Sequence, residues 1–430
     1  MDYSQIEQNQ LINLLKEERK VFKRLQKADM PVDMTRGRPE ATQLDIAMPM
    51  LSNAGNYDYR ADGIDNRNYG GLQGIKPARE LFAELFDCKT DEVIVADGSS
   101  LDLMYTVMQF AMQFGVLEST PWNQLKKVKF ICLTPGYDRH FAICEHFGIE
   151  MIGVRLREDG PDMDIIENLV RDDESIKGIW CVPKYSNPSG VTYSDRAVER
   201  LATMKTAAKD FRIFWDNAYL VHDLYEKGDK LKNIFDVARK AGTLDRIYAF
   251  TSTSKITFAG SGLAVFASSV DNINAITKEL FFKTIGPNKI NQVMHVNFLK
   301  DADNIKELMK LHAEILRPKF ELFEEKMSAE FEGDPFIHWS KPRGGYFISL
   351  DVKNCAKRIV ALAGEAGVKL TPAGSSFPYK LDDLDENIRI APSVPTLEEM
   401  THAVDVIISA IKQARMERVL LKIHNIKDID

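Results

Sequence analysis

Arg246-Ile247-Tyr248-Ala249-Phe250-Thr251-Ser252-Thr253-Ser254-Lys255 opens as an apolar run and closes on four hydroxyls and an amine. The apolar part does not alternate with polar residues, which predicts a strand covered on both faces. Outward along the chain the same arrangement recurs. Phe211-Arg212-Ile213-Phe214-Trp215 ends in Asp216-Asn217-Ala218-Tyr219, and Gly178-Ile179-Trp180-Cys181-Val182 ends in Pro183-Lys184-Tyr185-Ser186-Asn187-Pro188. Phe130-Ile131-Cys132-Leu133 ends in Thr134-Pro135-Gly136-Tyr137, and Val93-Ile94-Val95-Ala96 ends in Asp97-Gly98-Ser99-Ser100. Helical patterns separate the runs, Leu101 to Phe114 among them. The expectation is an α/β fold, a mainly parallel sheet with helices on both faces. Each run delivers its polar groups just past the strand's C-terminal end, the edge at which open sheets of this kind bind ligands.

The flanking regions read differently. Residues 4 to 28 carry Ile6, Leu11, Leu14, Leu15, Phe22 and Leu25 at helical spacing, and Asp33-Met34-Thr35-Arg36-Gly37-Arg38-Pro39 then breaks into an extended loop. Pro77 to Phe86 predicts a helix with proline at its start. From about 301 a long charged helical stretch reaches 332, and Gly344-Gly345-Tyr346-Phe347-Ile348-Ser349-Leu350 predicts an alternating strand. Helices near 353 to 366 and from Thr396 complete a smaller α+β unit. A chain of 430 residues exceeds the roughly 250–300 that one core serves, so two domains are expected.

Composition removes several classes of function. The formal charge of −7 is spread along the chain, with no dense basic stripe for a phosphate backbone, so nucleic acid is not an expected partner. No apolar stretch is long enough to cross a bilayer, and Met1-Asp2-Tyr3-Ser4-Gln5 shows no secretory leader. The five cysteines are odd in number, scattered and set among apolar residues, which suits buried thiols in a reducing cytoplasm. His140 and His146 are six apart, off one helical face, and no metal is expected.

The polar groups at the sheet edge form a chemical set. Lys255 would be poorly solvated there, which lowers an amine's pKa and suits Schiff-base chemistry. Asp216 could hold the proton of a pyridinium nitrogen, and Tyr219 or Asn187 could donate to a phenolate oxygen. Gly98-Ser99-Ser100 opens a helix, where N–H groups and hydroxyls cradle phosphate. Tyr137 offers a face for a ring to stack on.

With these residues in this order, the chain resembles fold-type-I aminotransferases of the aspartate aminotransferase group, nearly end to end. The anchors are Asn68-Tyr69-Gly70-Gly71-Leu72-Gln73-Gly74, Asp97-Gly98-Ser99-Ser100, Tyr185-Ser186-Asn187-Pro188-Ser189-Gly190, Asp216-Asn217-Ala218-Tyr219, Ser252-Thr253-Ser254-Lys255, Arg343-Gly344-Gly345-Tyr346-Phe347 and Asn387-Ile388-Arg389-Ile390. The N-terminal loop Thr35-Arg36-Gly37-Arg38-Pro39, followed by Gln43-Leu44-Asp45, matches one branch of that group. The resemblance implies a large domain, 51–300, with a seven-stranded, mainly parallel sheet, and a small α+β domain from residues 1–50 and 301–430. It implies pyridoxal 5′-phosphate on Lys255, with Lys255 moving a proton between the substrate's α-carbon and the cofactor. Asp216, Asn187 and Tyr219 would hold the ring, and Ser99, Ser100 and Ser252 the phosphate. Tyr69 would reach the phosphate of a partner subunit, which implies a homodimer with shared sites. Arg389 would clamp the substrate's α-carboxylate, and Gly37 would let the N-terminal loop come close.

One position departs from the family pattern. Eight residues after the lysine, where an arginine commonly neutralises the phosphate, stands Leu263, with Gly262 before it. Lys289 aligns with the family's side-chain arginine and is the first candidate for a distal carboxylate; Arg38 and Arg139 are others. The expected reaction is L-aspartate with 2-oxoglutarate. An aminotransferase for alanine, aromatic or other neutral amino acids stays open, as does a pyridoxal-dependent elimination or decarboxylation. Two other classes fit poorly. A regulator with an aminotransferase-like sensor needs a DNA-binding domain before Tyr69, and Gly70-Gly71-Leu72-Gln73-Gly74 follows a polar loop, not the strand a dinucleotide site requires.

Overall fold

The computed structural model describes residues 2–60 and 63–424. Among them, thirteen strands form three sheets. β1 (Val32–Asp33) pairs in parallel with β12 (Val368–Lys369), so the N-terminal loop is stitched to the C-terminal third. The large sheet contains β2 (Val93–Asp97), β3 (Lys129–Thr134), β4 (Glu150–Arg157), β5 (Gly160–Pro161), β6 (Ile176–Cys181), β7 (Arg212–Asp216), β8 (Ile247–Ser252) and β9 (Leu263–Ala267). Their spatial order is β2-β9-β8-β7-β6-β3-β4-β5, and only β9 and β5 run against the rest. The mainly parallel sheet with flanking helices is therefore present, with the two-residue β5 as an eighth strand at one edge. β10 (Ile337–Trp339), β11 (Ile348–Val352) and β13 (Asn387–Ile390) form a small antiparallel sheet.

The apolar runs behave as their composition requires. In β7, Ile213 and Trp215 enter one core with Cys181, Ala249 and Val265, while Phe214 enters another with Trp180, Phe250 and Phe266. Alternate residues of a strand point to opposite faces, so a run without polar alternation has to be covered twice. Helices Lys76–Phe86, Asp195–Thr203 and Ile234–Ala241 cover the first face through Phe82, Leu201 and Phe235. Helices Ser100–Phe114, Asp138–His146 and Val270–Lys283 cover the second through Met104, Phe141 and Ile276. A third core joins Phe22, Val32 and Met34 to Phe320, Ile348, Leu350 and Val404, residues from both chain ends.

One element starts later than its pattern predicts. The alternating strand expected from Gly344 begins only at Ile348. At Gly344 a Cβ would lie 2.1 Å from the Tyr185 ring and 2.5 Å from the His222 carbonyl oxygen, and Gly345 has φ +80°. The glycine pair is thus a turn pressed against Tyr185, and the strand that follows is buried nearly throughout instead of alternating.

Two buried histidines brace the turn after β8. His295 Nδ1 donates to the Asn291 carbonyl oxygen (2.9 Å), which leaves Nε2 to accept from Thr257 Oγ1 (2.9 Å), next to Thr253 Oγ1 (3.2 Å). His312 Nε2 donates to the Ile256 carbonyl oxygen (3.1 Å), and its Nδ1 accepts from Gln43 Nε2 (3.1 Å). Gln43 Nε2 also donates to Tyr346 Oη at 3.0 Å. Both imidazoles accept a hydrogen bond in these roles, so each has to be neutral. Burial enforces this, lowering both from 6.5 to about 4.

A dependence on pH follows. Each histidine takes a proton near pH 6.5 when unfolded but resists it to about pH 4 when folded, so the unfolded chain binds more protons in that window. Unfolding free energy should fall as pH drops through it, by at most ~3 kcal/mol per group. Urea midpoints measured at neutral pH and within the window should differ in that direction. The doubly substituted chain His295→Gln, His312→Gln should lose much of the slope. An unchanged slope would remove these histidines as its cause.

Candidate active site

The strand ends converge on a cavity of about 350 Å³ at the C-terminal edge of the large sheet. Asp216 is the last residue of β7, Ser252 the last of β8, and Lys255 lies in the braced turn that follows. Asn187 comes from the segment after β6, Tyr137 from the start of helix Asp138–His146, and Arg389 from β13. All six line the cavity, with Gly37, Ser99, Ser100 and Tyr219. Gly37 is pressed against Phe347, whose ring a Cβ would meet at 2.7 Å, so the N-terminal loop can lie this close only as glycine.

Lys255 Nζ stands 5.3 Å from the centroid of Tyr219 and 5.7 Å from that of Tyr346. Desolvation by the surrounding protein lowers its pKa, and the Asp216 charge partly opposes the shift. Asp216 is buried. Its Oδ2 is 3.0 Å from His140 Nε2, whereas Oδ1 has no hydrogen-bond partner. His140 stacks on Trp180 with centroids 4.3 Å apart and planes 10° from parallel. Asn187 is also buried, with its Oδ1 unpartnered. Burial raises Tyr219 well above the usual phenol pKa, and desolvation pushes Tyr137 up to about 12, so both keep their hydroxyl protons.

The phosphate-binding expectation has a physical basis at one helix end. Helix Ser100–Phe114 has Ser99 at its N-cap, and no side chain caps it, which leaves its first N–H groups open. Gly98, at φ +81°, makes the turn into it, and its N–H donates to the Gly262 carbonyl oxygen. Ser252 Oγ donates to Ser254 Oγ at 3.2 Å, and both serines line the cavity. No arginine comes from the position after the lysine. The Leu263 side chain is in the core, and a Cβ at Gly262 would lie 3.0 Å from both the Gly98 oxygen and Ser254 Oγ. The lining arginines are Arg36, Arg38, Arg139 and Arg389.

Arg389 is buried, with the Phe347 ring 5.1 Å from its guanidinium carbon. Its Nε and Nη2 donate to Thr371 Oγ1, and Nη2 also to the Thr35 carbonyl oxygen. Nη1 donates to Asp138 Oδ1 at 2.6 Å.

Two sequence candidates lie elsewhere. Tyr69 and Lys289 line a second cavity, of about 1100 Å³, and Lys289 Nζ donates to the Tyr69 carbonyl oxygen at 3.1 Å. Lys289 is buried and begins helix Lys289–Leu299. Conversely, His140 and Asp138 belong to the site's surroundings and carry no sequence signal of their own, while Ser254 and Tyr346 stand inside quoted motifs without an assigned role. His140 meets Asp216 across 76 residues of chain. Only its place in the first turn of a helix that starts at the ligand-binding edge could have pointed to it.

Orphaned buried oxygens, an uncapped helix end and a desolvated lysine in one cavity fit a phosphorylated pyridine aldehyde. Comparison with known proteins agrees. The family described as aspartate amino-transferase matches residues 6–422. The aspartate aminotransferase of Corynebacterium glutamicum is 43% identical over 399 residues, 92% of each chain. A crystal structure of an aspartate transaminase from Corynebacterium glutamicum superposes with a TM-score of 0.94 at 41% identity, covering 97% of this chain and 99% of that one. At 18% identity, an α-aminoadipate aminotransferase of Thermus thermophilus, complexed with N-(5′-phosphopyridoxyl)-L-leucine, shares the fold with a TM-score of 0.72 over 92% of this chain and 95% of that one. With motif, cavity and fold in agreement, this chain belongs to the aspartate aminotransferase family of fold-type-I, pyridoxal-phosphate-dependent aminotransferases.

Proposed function

We propose that the enzyme moves the amino group of L-aspartate to 2-oxoglutarate, yielding oxaloacetate and L-glutamate, with pyridoxal 5′-phosphate held on Lys255. The observation that carries the assignment of roles is the buried, unpartnered Asp216 Oδ1, on a residue that lines the cavity together with Lys255. Such an atom is costly unless a ligand completes it. A protonated ring nitrogen suits Asp216 Oδ1. His140 holds the other carboxylate oxygen and so fixes the orientation of the carboxylate that lines the cavity. The side-chain amide N–H of Asn187 and the protonated Tyr219 suit the ring oxygen. Tyr137 offers its face to the ring, and Ser99, Ser100, Ser252 and Ser254 with the open helix end suit the phosphate.

When bound, the cofactor withdraws electrons from the substrate's α-carbon. Lys255 Nζ, its pKa lowered by desolvation, takes the α-proton as a neutral amine and returns it. Arg389 grips the α-carboxylate. Its guanidinium plane is set by Thr371 and Thr35 before substrate arrives, so little order remains to be gained on binding.

Acidic substrates are favoured by the cavity's charge. Four arginines and Lys255 line it against Asp138 and Asp216, in a chain whose formal charge is −7, a net positive local field that attracts dicarboxylates. A homodimer completes the reading, with Tyr69 serving the partner's phosphate and Lys289 a distal carboxylate. In support, Tyr69, Phe281, Phe282 and Ile285 stand exposed at or beside the second cavity, an apolar surface suited to a second copy. The five free thiols suit the cytoplasm; among the described residues no helix is long and apolar enough to cross a membrane.

The purified protein should show a visible absorption band that bleaches with L-aspartate and returns with 2-oxoglutarate. Indifference to L-aspartate with a response to L-alanine would keep the cofactor and move the assignment to neutral donors. Lys255→Ala should lower turnover by about 10³-fold or more while leaving the far-ultraviolet circular dichroism unchanged. Appreciable residual turnover would overturn the role of Lys255. His140→Ala should cut kcat by about tenfold or more, because Asp216 Oδ1 loses its fixed direction. Wild-type kcat in that variant would show that His140 only fills space.

A further inference from the structure

Asp138 has no role in the chemistry above, yet it makes the shortest contact of the Arg389 guanidinium. The three bonds that orient the guanidinium plane, two to Thr371 Oγ1 and one to the Thr35 carbonyl oxygen, are each 3.3 Å. The bond to Asp138 Oδ1 is 2.6 Å. The Arg389 side chain is 6% exposed and that of Asp138 is 34% exposed. The pair therefore stands at the cavity wall with the arginine desolvated and the carboxylate reachable.

Backbone geometry holds Asp138 there. It is the first residue of helix Asp138–His146, where the helix's N-terminal field favours a carboxylate. Gly136 leads into that helix, and a Cβ on it would come within 2.2 Å of the Leu133 carbonyl oxygen. The tight turn puts Tyr137 and Asp138 side by side on the cavity.

An α-carboxylate has the same charge and the same two acceptor oxygens as the Asp138 side chain. Two carboxylates on one guanidinium edge repel each other, and the arginine has few N–H groups left over. We propose that Asp138 is a built-in competitor for the substrate's α-carboxylate, occupying Arg389 in the free enzyme and turning aside when substrate binds. This rests on Arg389 being the carboxylate clamp. The competitor keeps a buried guanidinium from standing unpaired between turnovers, a state that costs more than the pair itself contributes. It weakens the binding of amino donor and 2-oxo acceptor alike, because both present an α-carboxylate, and it does not depend on the substrate's side chain.

The test is a titration of the holoenzyme with succinate, a non-reacting dicarboxylate, followed by its visible absorption, together with steady-state kinetics. Asp138→Asn keeps the shape and removes the charge. It should tighten succinate binding roughly three- to tenfold, the range of a partly exposed ion pair. KM for L-aspartate and for 2-oxoglutarate should fall by similar factors, with kcat moving less than about twofold. Asp138→Glu, which retains the charge, should stay near the wild type. Unchanged or weaker binding in Asp138→Asn overturns the proposal, and so does equal tightening in Asp138→Glu. Arg389→Gln should weaken succinate in both backgrounds and erase the difference between them. If Arg389→Gln alone binds succinate normally, the clamp assignment itself fails, a result separate from any failure of Asp138.

Discussion

An amine has to sit on the wall of this cavity, desolvated and close to a carboxylate, without being locked into a salt bridge with it. Among the described residues Lys255 makes no ion pair, although the Asp216 charge is near enough to oppose its pKa shift. His140 occupies one oxygen of that carboxylate at 3.0 Å, and rings of Tyr219 and Tyr346 flank the amine instead of anions. The turn carrying Lys255 is held by neutral groups as well. His295 binds the threonine hydroxyls on one side, and His312 the Ile256 carbonyl oxygen on the other. A charged brace at either place would have changed the field at the lysine. Burial of the imidazoles supplies rigidity without charge.

The same economy of charge explains the anion-binding parts. The strand after Lys255 has no room for a cation, because Gly262 is closed in by Gly98 and Ser254 and Leu263 belongs to the core. Hydroxyls and an uncapped helix end remain at that side, and the arginines enter from other elements. Arg36 and Arg38 come on the N-terminal loop, Arg139 on helix Asp138–His146 and Arg389 on the small sheet. Positive potential is thereby carried by parts that originate far apart in the chain. The N-terminal loop is tied to the rest by the β1–β12 pair and by Gln43, whose amide reaches His312 and Tyr346 together. A loop that contributes to the site is thus coupled to the braces of the lysine turn through three buried side chains.

Much of this was legible in the sequence. The apolar runs at 93–96, 130–133, 178–182, 211–215 and 246–250 became strands within a residue or two, because short runs rich in β-branched and aromatic residues and ended by turn residues suit a strand covered on both faces. Their polar ends, Ser99, Tyr137, Asn187, Asp216 and Lys255, meet in one cavity because parallel strands present all their C-terminal ends at one edge. The strand at 344–350 was misplaced because a glycine pair inside an alternating pattern gives no sign of the Tyr185 ring that presses on it. Three further strands of the large sheet, β4, β5 and β9, lie outside those runs; β5 is only two residues long and holds no periodicity.

What tertiary structure alone decided is pairing. Nothing local connects His140 to Asp216, Asp138 to Arg389 across 251 residues, or Gln43 to Tyr346 across 303. Tyr69 and Lys289 share a motif order with the other site residues, yet they lie at a different cavity. Sequence determines which groups a chain can offer and at which end of an element each stands, since periodicity and strand polarity are local properties. Which group faces which is set by packing of elements distant in the chain. In this protein that packing leaves one oxygen of Asp216 free, gives Asp138 the guanidinium of Arg389, and keeps two histidines neutral beside Lys255.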